Sequence, residues 1–179
     1  MTQTDINGDP LIIQENVEWY TPKHLLDAVY ATIGTPDLDP CCNTIGSPNV
    51  AARNYYCLAD NGLAHNWNAE NIFLNPPYGE ELPEWIDKMI YHFRNRDVTN
   101  AILLIPAKTE TTYWHKLADY APAWCAVKGR ISFISPTTGN TKQTGRFPSA
   151  VVLLTRKQDI FSKFCENFES LGIIYTRWE

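Results

Sequence analysis

The chain is 179 residues long, 44% hydrophobic and 20% charged, with a net charge of −5. That bounds it as one globular domain large enough for a substantial core. No apolar run approaches the ~20 residues of a membrane span, and the polar, acidic residues 1–10 are unlike a signal peptide. These features argue against membrane and secreted classes.

The net charge hides an asymmetry. Residues 1–87 hold 2 basic against 13 acidic side chains, and residues 88–179 hold 13 against 7. An acidic half suited to a cationic ligand is thus joined to a basic half suited to a polyanion; the alternative is uneven surface charge without purpose. The five cysteines (Cys41, Cys42, Cys57, Cys125 and Cys165) show no C-x-x-C spacing and are scattered like His24, His65, His92 and His115. They read as reduced thiols of a cytoplasmic protein, with no disulfide frame and no metal site.

Taken in order, residues 1–17 carry no period and are expected to fray, leaving residues 18–179 as the folded domain. Next comes Glu18-Trp19-Tyr20-Thr21-Pro22 and then a helix, with Thr21 as expected N-cap, Pro22 at the first helical position and Gly34 past the end. Leu25, Leu26, Val29 and Ile33 form its buried stripe. Trp19 and Tyr20 offer either an aromatic wall beside exposed backbone donors or a hydrophobic staple onto the helix.

Asp37 to Pro40 reads as a short strand ending in an acidic turn, followed by small, turn-forming residues to Asn49. With Gly46 its lone glycine, that stretch is a poor match to a phosphate-binding loop. Asp39 there repels phosphate and attracts a sulfonium or an ammonium. Residues 53–58 suggest another short strand before the turn Asp60-Asn61-Gly62-Leu63, where an acid most often stabilises the turn.

Ile72-Phe73-Leu74 is a β-leaning run that stops at Asn75-Pro76-Pro77-Tyr78. Each proline fixes its φ and removes an N–H, and Pro77 pushes Pro76 out of the α region. The result is a stiff loop that presents one amide, carbonyls without local donors and an aromatic face. Such groups suit an exocyclic amine on a flat ring: the Asn75 side-chain oxygen and the Pro76 carbonyl each accept one N–H, and Tyr78 stacks on the ring. The alternative is a plain strand-ending turn.

Beyond it, residues 83–95 form a helix with Trp85, Ile86, Met89, Ile90 and Phe93 inward, and residues 101–105 a strand buried on both faces. A short helix over 111–118, a strand over 123–127, a turn at 128–130 and a polar loop over 135–148 follow. A strand over 150–154, a helix over 159–171 and a strand over 173–175 close the chain. Alternating strands and helices argue for an α/β fold with a mostly parallel sheet flanked by helices. The loops after Asp39, Leu74 and Ile105 are expected to open on one edge of it, where ligands bind in such sheets.

These segments together resemble the phage-type DNA N-6-adenine methyltransferase family, whose catalytic tetrapeptide looks like Asn75-Pro76-Pro77-Tyr78. The resemblance runs over residues 18–154 through Glu18 to Pro22, Asp37 to Pro40, Asp60 to Leu63, Leu74 to Gly79, Ile105 to Thr109, Gly129-Arg130 with Phe133, and Phe147 to Ala150. It implies a Rossmann-like methyltransferase fold, S-adenosyl-L-methionine as cofactor, and double-stranded DNA as partner. It implies as well a setting in the cytoplasm of a bacterium or a phage-infected host, and methyl transfer to N6 of a flipped adenine.

It implies that Asn75, Pro76, Pro77 and Tyr78 form the catalytic loop. Trp19, Tyr20, Thr21 and Pro22 would lie on the methionine part of the cofactor, Asp39 and Pro40 at its ammonium, Asp60 at its adenine or ribose, and Asn75 beside it. Lys108, Arg130, Lys142 and Arg146 are candidate phosphate contacts or else solvated charges. Only 35 residues separate Asp39 from Asn75 and the glycine-rich turn is nearly absent, so the sheet is expected to be trimmed there. With no separate recognition domain visible, specificity falls to loops such as 135–148. Rival readings are an RNA adenine or protein glutamine N-methyltransferase, which grip a similar planar amine, and a non-catalytic DNA-binding relative.

Overall fold

A computed structural model describes residues 20–43, 48–135 and 147–177. In chain order the elements are α1 (Lys23–Ile33), β1 (Leu38–Asp39), β2 (Asn54–Tyr55), a 3-10 turn (Gly62–Ala64), β3 (Ala69–Leu74), α2 (Leu82–Arg94), β4 (Val98–Pro106), α3 (Thr112–Ala118), β5 (Ala123–Val127), β6 (Ser149–Leu154), α4 (Gln158–Phe168) and β7 (Gly172–Thr176). The strands form one sheet in the order β2-β1-β3-β4-β6-β5-β7.

The half from β2 to β4 is parallel. Strand β6 then enters antiparallel between β4 and β5, so β5 again runs with β4, and β7 lies antiparallel on the outer edge. With helices on both faces, this is the Rossmann-like methyltransferase arrangement that the alternation of elements suggests. Local pattern carries no sign of the reversed β6, because an apolar run reads the same in either direction.

Alternate side chains of the central strands feed two cores. Leu74, Leu103, Ile105 and Val152 pack with Trp85, Ile86, Met89 and Phe93 of α2 and Trp114 and Leu117 of α3. Phe73, Ile102, Leu104, Val151 and Leu153 pack with Leu25, Leu26, Val29 and Ile33 of α1 and Ile160, Phe164 and Phe168 of α4. Strand β4 is buried along nearly its whole length, as expected for a central strand covered on both faces.

The trimmed region between Asp39 and Asn75 holds β2, the 3-10 turn and β3, and no α-helix among its described residues. Gly62 is required where it stands: a Cβ there would collide with the Pro40 carbonyl oxygen. The turn therefore seats directly behind the end of β1. No helix of the described residues is long and apolar enough to cross a membrane.

One capping expectation is corrected. Helix α1 begins at Lys23 with Pro22 in the cap position, and no side chain caps it. The Thr21 hydroxyl instead accepts a hydrogen bond from the side chain of Asn75, the residue that follows β3.

Candidate active site

Strands β1, β3, β4 and β5 end on one edge, which the segment leading into α1 also reaches through Thr21. There the Asn75 loop is held from two sides. The Asn75 carbonyl accepts the Cys41 thiol at 3.1 Å, and the Asn75 Nδ2 donates to Thr21 Oγ1 at 3.1 Å. Burial, followed by the charge of Asp39, pushes the Cys41 thiol well above its usual range, so it stays a protonated donor. With Nδ2 engaged, the side-chain oxygen of Asn75 takes no protein donor among the described residues. The Pro76 carbonyl likewise accepts no backbone N–H among them.

Pro76 is buried, Pro77 exposed and Tyr78 half-buried. The Tyr78 hydroxyl donates to the Leu104 carbonyl at 3.3 Å, and its ring meets Phe133 edge-on with centroids 6.2 Å apart. Burial raises its phenol far above the usual range, so it acts as a neutral, tethered ring. Beside it opens a cavity of about 320 Å3 lined by Tyr78, Pro106, Lys108, Thr111, Tyr113 and Phe147 among others. Ligand pockets span ~300–1,000 Å3. Its far wall is braced: Tyr113 donates to the Pro106 carbonyl at 3.3 Å, and Ala107 N–H to the Pro148 carbonyl at 2.8 Å.

Asp39 ends β1 and is 4% exposed. Its carboxylate accepts the Cys41 N–H at 3.2 Å, yet among the described residues no cation pairs with it. Desolvation dominates and pushes its pKa from 3.8 up to about 7. A buried acid without a cation on the ligand edge fits a ligand that brings one, such as the ammonium of an amino-acid moiety.

Asp60 lies farther out. It is exposed and closes its own turn by accepting the Cys57 N–H at 2.8 Å. Pro40 is buried against the Gly62 turn. Lys108 reaches over the Phe147 ring at 4.3 Å, at the cavity wall. Arg130 is exposed on the turn after β5, where Gly129 takes φ 75°. Tyr20 pairs with Ile134 as an isolated bridge, and Pro22 is buried at the start of α1. Trp19, Lys142 and Arg146 lie outside the described residues, as do residues 136–146 of the proposed specificity loop.

The edge thus gathers Thr21, Pro22, Asp39, Pro40, the Asn75 loop and Lys108. Cys41 and Asn49 belong to it too, and sequence reasoning passed over both. Asn49 bonds the main chain of Thr21 with both ends of its amide, at 2.7 and 3.3 Å. In the sequence it is one polar residue among several in a turn-rich stretch, and nothing local distinguishes it. Groups of His, Cys, Asp and Glu able to hold a metal ion are absent among the described residues.

A comparison with curated proteins finds no match. The family model described as DNA N-6-adenine-methyltransferase (Dam), however, matches residues 11–170. That span takes in every strand but β7 and the whole edge just described, so the chain belongs to the DNA N-6-adenine-methyltransferase family.

Proposed function

We propose that the protein transfers a methyl group from S-adenosyl-L-methionine to N6 of an adenine flipped out of duplex DNA. The observation that carries this reading is the state of Asn75: its amide nitrogen is spent on Thr21 at 3.1 Å, which leaves an oxygen acceptor at the head of a stiff loop. An exocyclic amine is the complementary donor. Membership of the DNA adenine methyltransferase family supports adenine as its source.

The cofactor would supply an electrophilic methyl group. Asp39, with Pro22 and Thr21 across the edge, would hold its amino-acid end, the buried carboxylate gaining the cation it lacks. Asn75 Oδ1 and the Pro76 carbonyl would each accept one N–H of the adenine amine. Holding both protons turns the nitrogen lone pair out of ring conjugation and toward the methyl carbon. The amine nitrogen would take the methyl group as the methyl–sulfur bond breaks, leaving a neutral thioether behind; the nitrogen becomes cationic and sheds a proton to solvent, so no strong base is required.

Tyr78 would stack on the purine, a contact worth ~1–3 kcal/mol, with its hydroxyl tied to Leu104 to prevent tilting. Lys108 and Arg130 suit phosphates flanking the flipped nucleotide. Orientation of this kind can supply roughly 7–11 kcal/mol of a barrier.

The test is tritiated-methyl transfer from S-adenosyl-L-methionine to duplex DNA, RNA and protein, followed by digestion to identify the labelled residue. Label in N6-methyladenine of DNA is expected. Asn75→Ala is expected to lose at least roughly a hundredfold in rate, the scale seen on removing a group that stabilises a transition state, while still binding the cofactor. Near-normal methylation by that variant, or label in RNA or glutamine alone, would sink the reading.

A further inference from the structure

The segment that leads into α1 is held along both edges. On one side Tyr20 donates its N–H to the Ile134 carbonyl at 2.9 Å and accepts the Ile134 N–H at 3.1 Å. In extended chain the next residue turns its main-chain groups the other way. There Thr21 meets a side chain in place of a strand. Its N–H donates to Asn49 Oδ1 at 2.7 Å, and its carbonyl accepts Asn49 Nδ2 at 3.3 Å. A primary amide carries an acceptor and a donor in one plane, as a peptide unit does. Because Thr21 offers one donor and one acceptor, only one orientation of the Asn49 amide satisfies both. Asn49 is anchored in turn through its own N–H, which donates to Asn43 Oδ1 at 3.0 Å.

Thr21, pinned in this way and 2% exposed, receives Asn75 Nδ2 on its hydroxyl. We propose that Asn49 is a positioning residue for methyl transfer, acting through Thr21 to hold the Asn75 amide with its oxygen toward the acceptor amine. This rests on the reading of Asn75 as the group that grips the amine. The same short segment reaches the stacking ring by a second route. Ile134, paired with Tyr20, follows Phe133, whose ring abuts Tyr78. Releasing Thr21 therefore loosens the amine grip directly and the stacking wall through its backing. Asn49 acts without touching cofactor or base; what it fixes is the angle of a group that does.

Asn49→Ala, Asn49→Asp and Thr21→Val in the full chain test the proposal. Asn49→Ala is expected to lower kcat on DNA by about tenfold to a hundredfold, the cost of a small misplacement, while the KM for DNA changes by less than about threefold. Thr21→Val should lower kcat similarly, and the double variant should be no worse than the worse single one, since both cut one chain of contacts. Asn49→Asp keeps the acceptor for Thr21 N–H and should recover part of kcat.

The second readout does not need turnover: the side-chain amide proton resonances of Asn75, assigned by their loss in Asn75→Ala. They should shift, and their exchange with water should speed up, in Asn49→Ala. If the wild-type chain methylates no adenine, the reading of function falls, and these resonances still decide the positioning role. Unchanged Asn75 resonances, or an unchanged kcat alongside a lowered Tm, would overturn it.

Discussion

Strand β4 runs nine residues, pairs on both sides and buries every side chain but Thr99, whereas β1 and β2 run two residues each and β2 is exposed throughout. The sheet centre is held by apolar burial on two faces. The β1–β2 edge is held by a handful of directed contacts: Asn54 N–H to Asp37, Cys42 N–H to Tyr56, and the Gly62 turn against Pro40. The difference separates two tasks. The centre supplies the stability, and the thin edge carries groups that cost stability, such as Asp39, an acid buried without a cation among the described residues. A fold can tolerate Asp39 there only because its stability lies elsewhere.

The largest expected effect follows from the centre. Phe164 of α4 is fully buried and stacks on Phe168 with centroids 4.6 Å apart. Phe164→Ala should cost about 3–5 kcal/mol, a large part of the ~5–15 kcal/mol of a typical domain. Urea denaturation will measure it as a lowered midpoint with little change in slope. Methyl transfer per folded molecule should stay near wild type; a loss exceeding the unfolded fraction would mean that centre and edge are not separable.

The same division explains what was legible in the sequence. The apolar stripes of α1 and α2, the buried run of β4 and the stiff Asn75 loop announce themselves through local spacing and through proline. Thr21 misleads because a threonine before a proline and an apolar stripe is a good N-cap signature. Its hydroxyl is committed to Asn75, 54 residues away, and no local pattern encodes that. Cys41 and Asn49 are hidden for the same reason, as their partners lie 34 and 28 residues distant. Strand order is also silent: β6 reads as any buried strand, and its reversal is decided by packing between β4 and β5.

An intermediate effect tests the acid at the edge. Asp39 has a folded pKa of about 7, above its usual 3.8, so between those values the folded chain holds a proton that the unfolded chain has lost. Stability from this group is therefore full in acid and falls as pH rises toward about 7, by at most ~1.4 kcal/mol per unit. A bound ammonium favours the ionised form and reverses the preference. S-adenosyl-L-methionine should bind more tightly as pH rises from 5.5 to about 7, by up to roughly tenfold per unit, with a proton released on binding. Calorimetric titrations in buffers of different ionisation heat will count that proton. In Asp39→Asn the Kd should become weak and flat across that range. A flat profile in the wild-type chain would remove Asp39 from the ammonium.

The smallest effect belongs to Asp60, which shares the thin edge but not its burial. Its Oδ2 accepts the Cys57 N–H at 2.8 Å and so closes a turn in solvent, where one hydrogen bond is worth about 0.5–1.5 kcal/mol. Asp60→Ala should lower Tm by about 1–4 °C, whereas Asp60→Asn keeps an acceptor and should restore most of it. One oxygen is committed to the turn, and Asp60 is exposed, so a hydroxyl of a cofactor ribose would meet it in competition with water. The cofactor Kd should change by less than about threefold in either variant, well under the tenfold that 1.4 kcal/mol represents. A tenfold loss in Asp60→Asn with Tm unchanged would move Asp60 from the turn to the ligand. It would also extend the proposed cofactor-binding edge past the Gly62 turn.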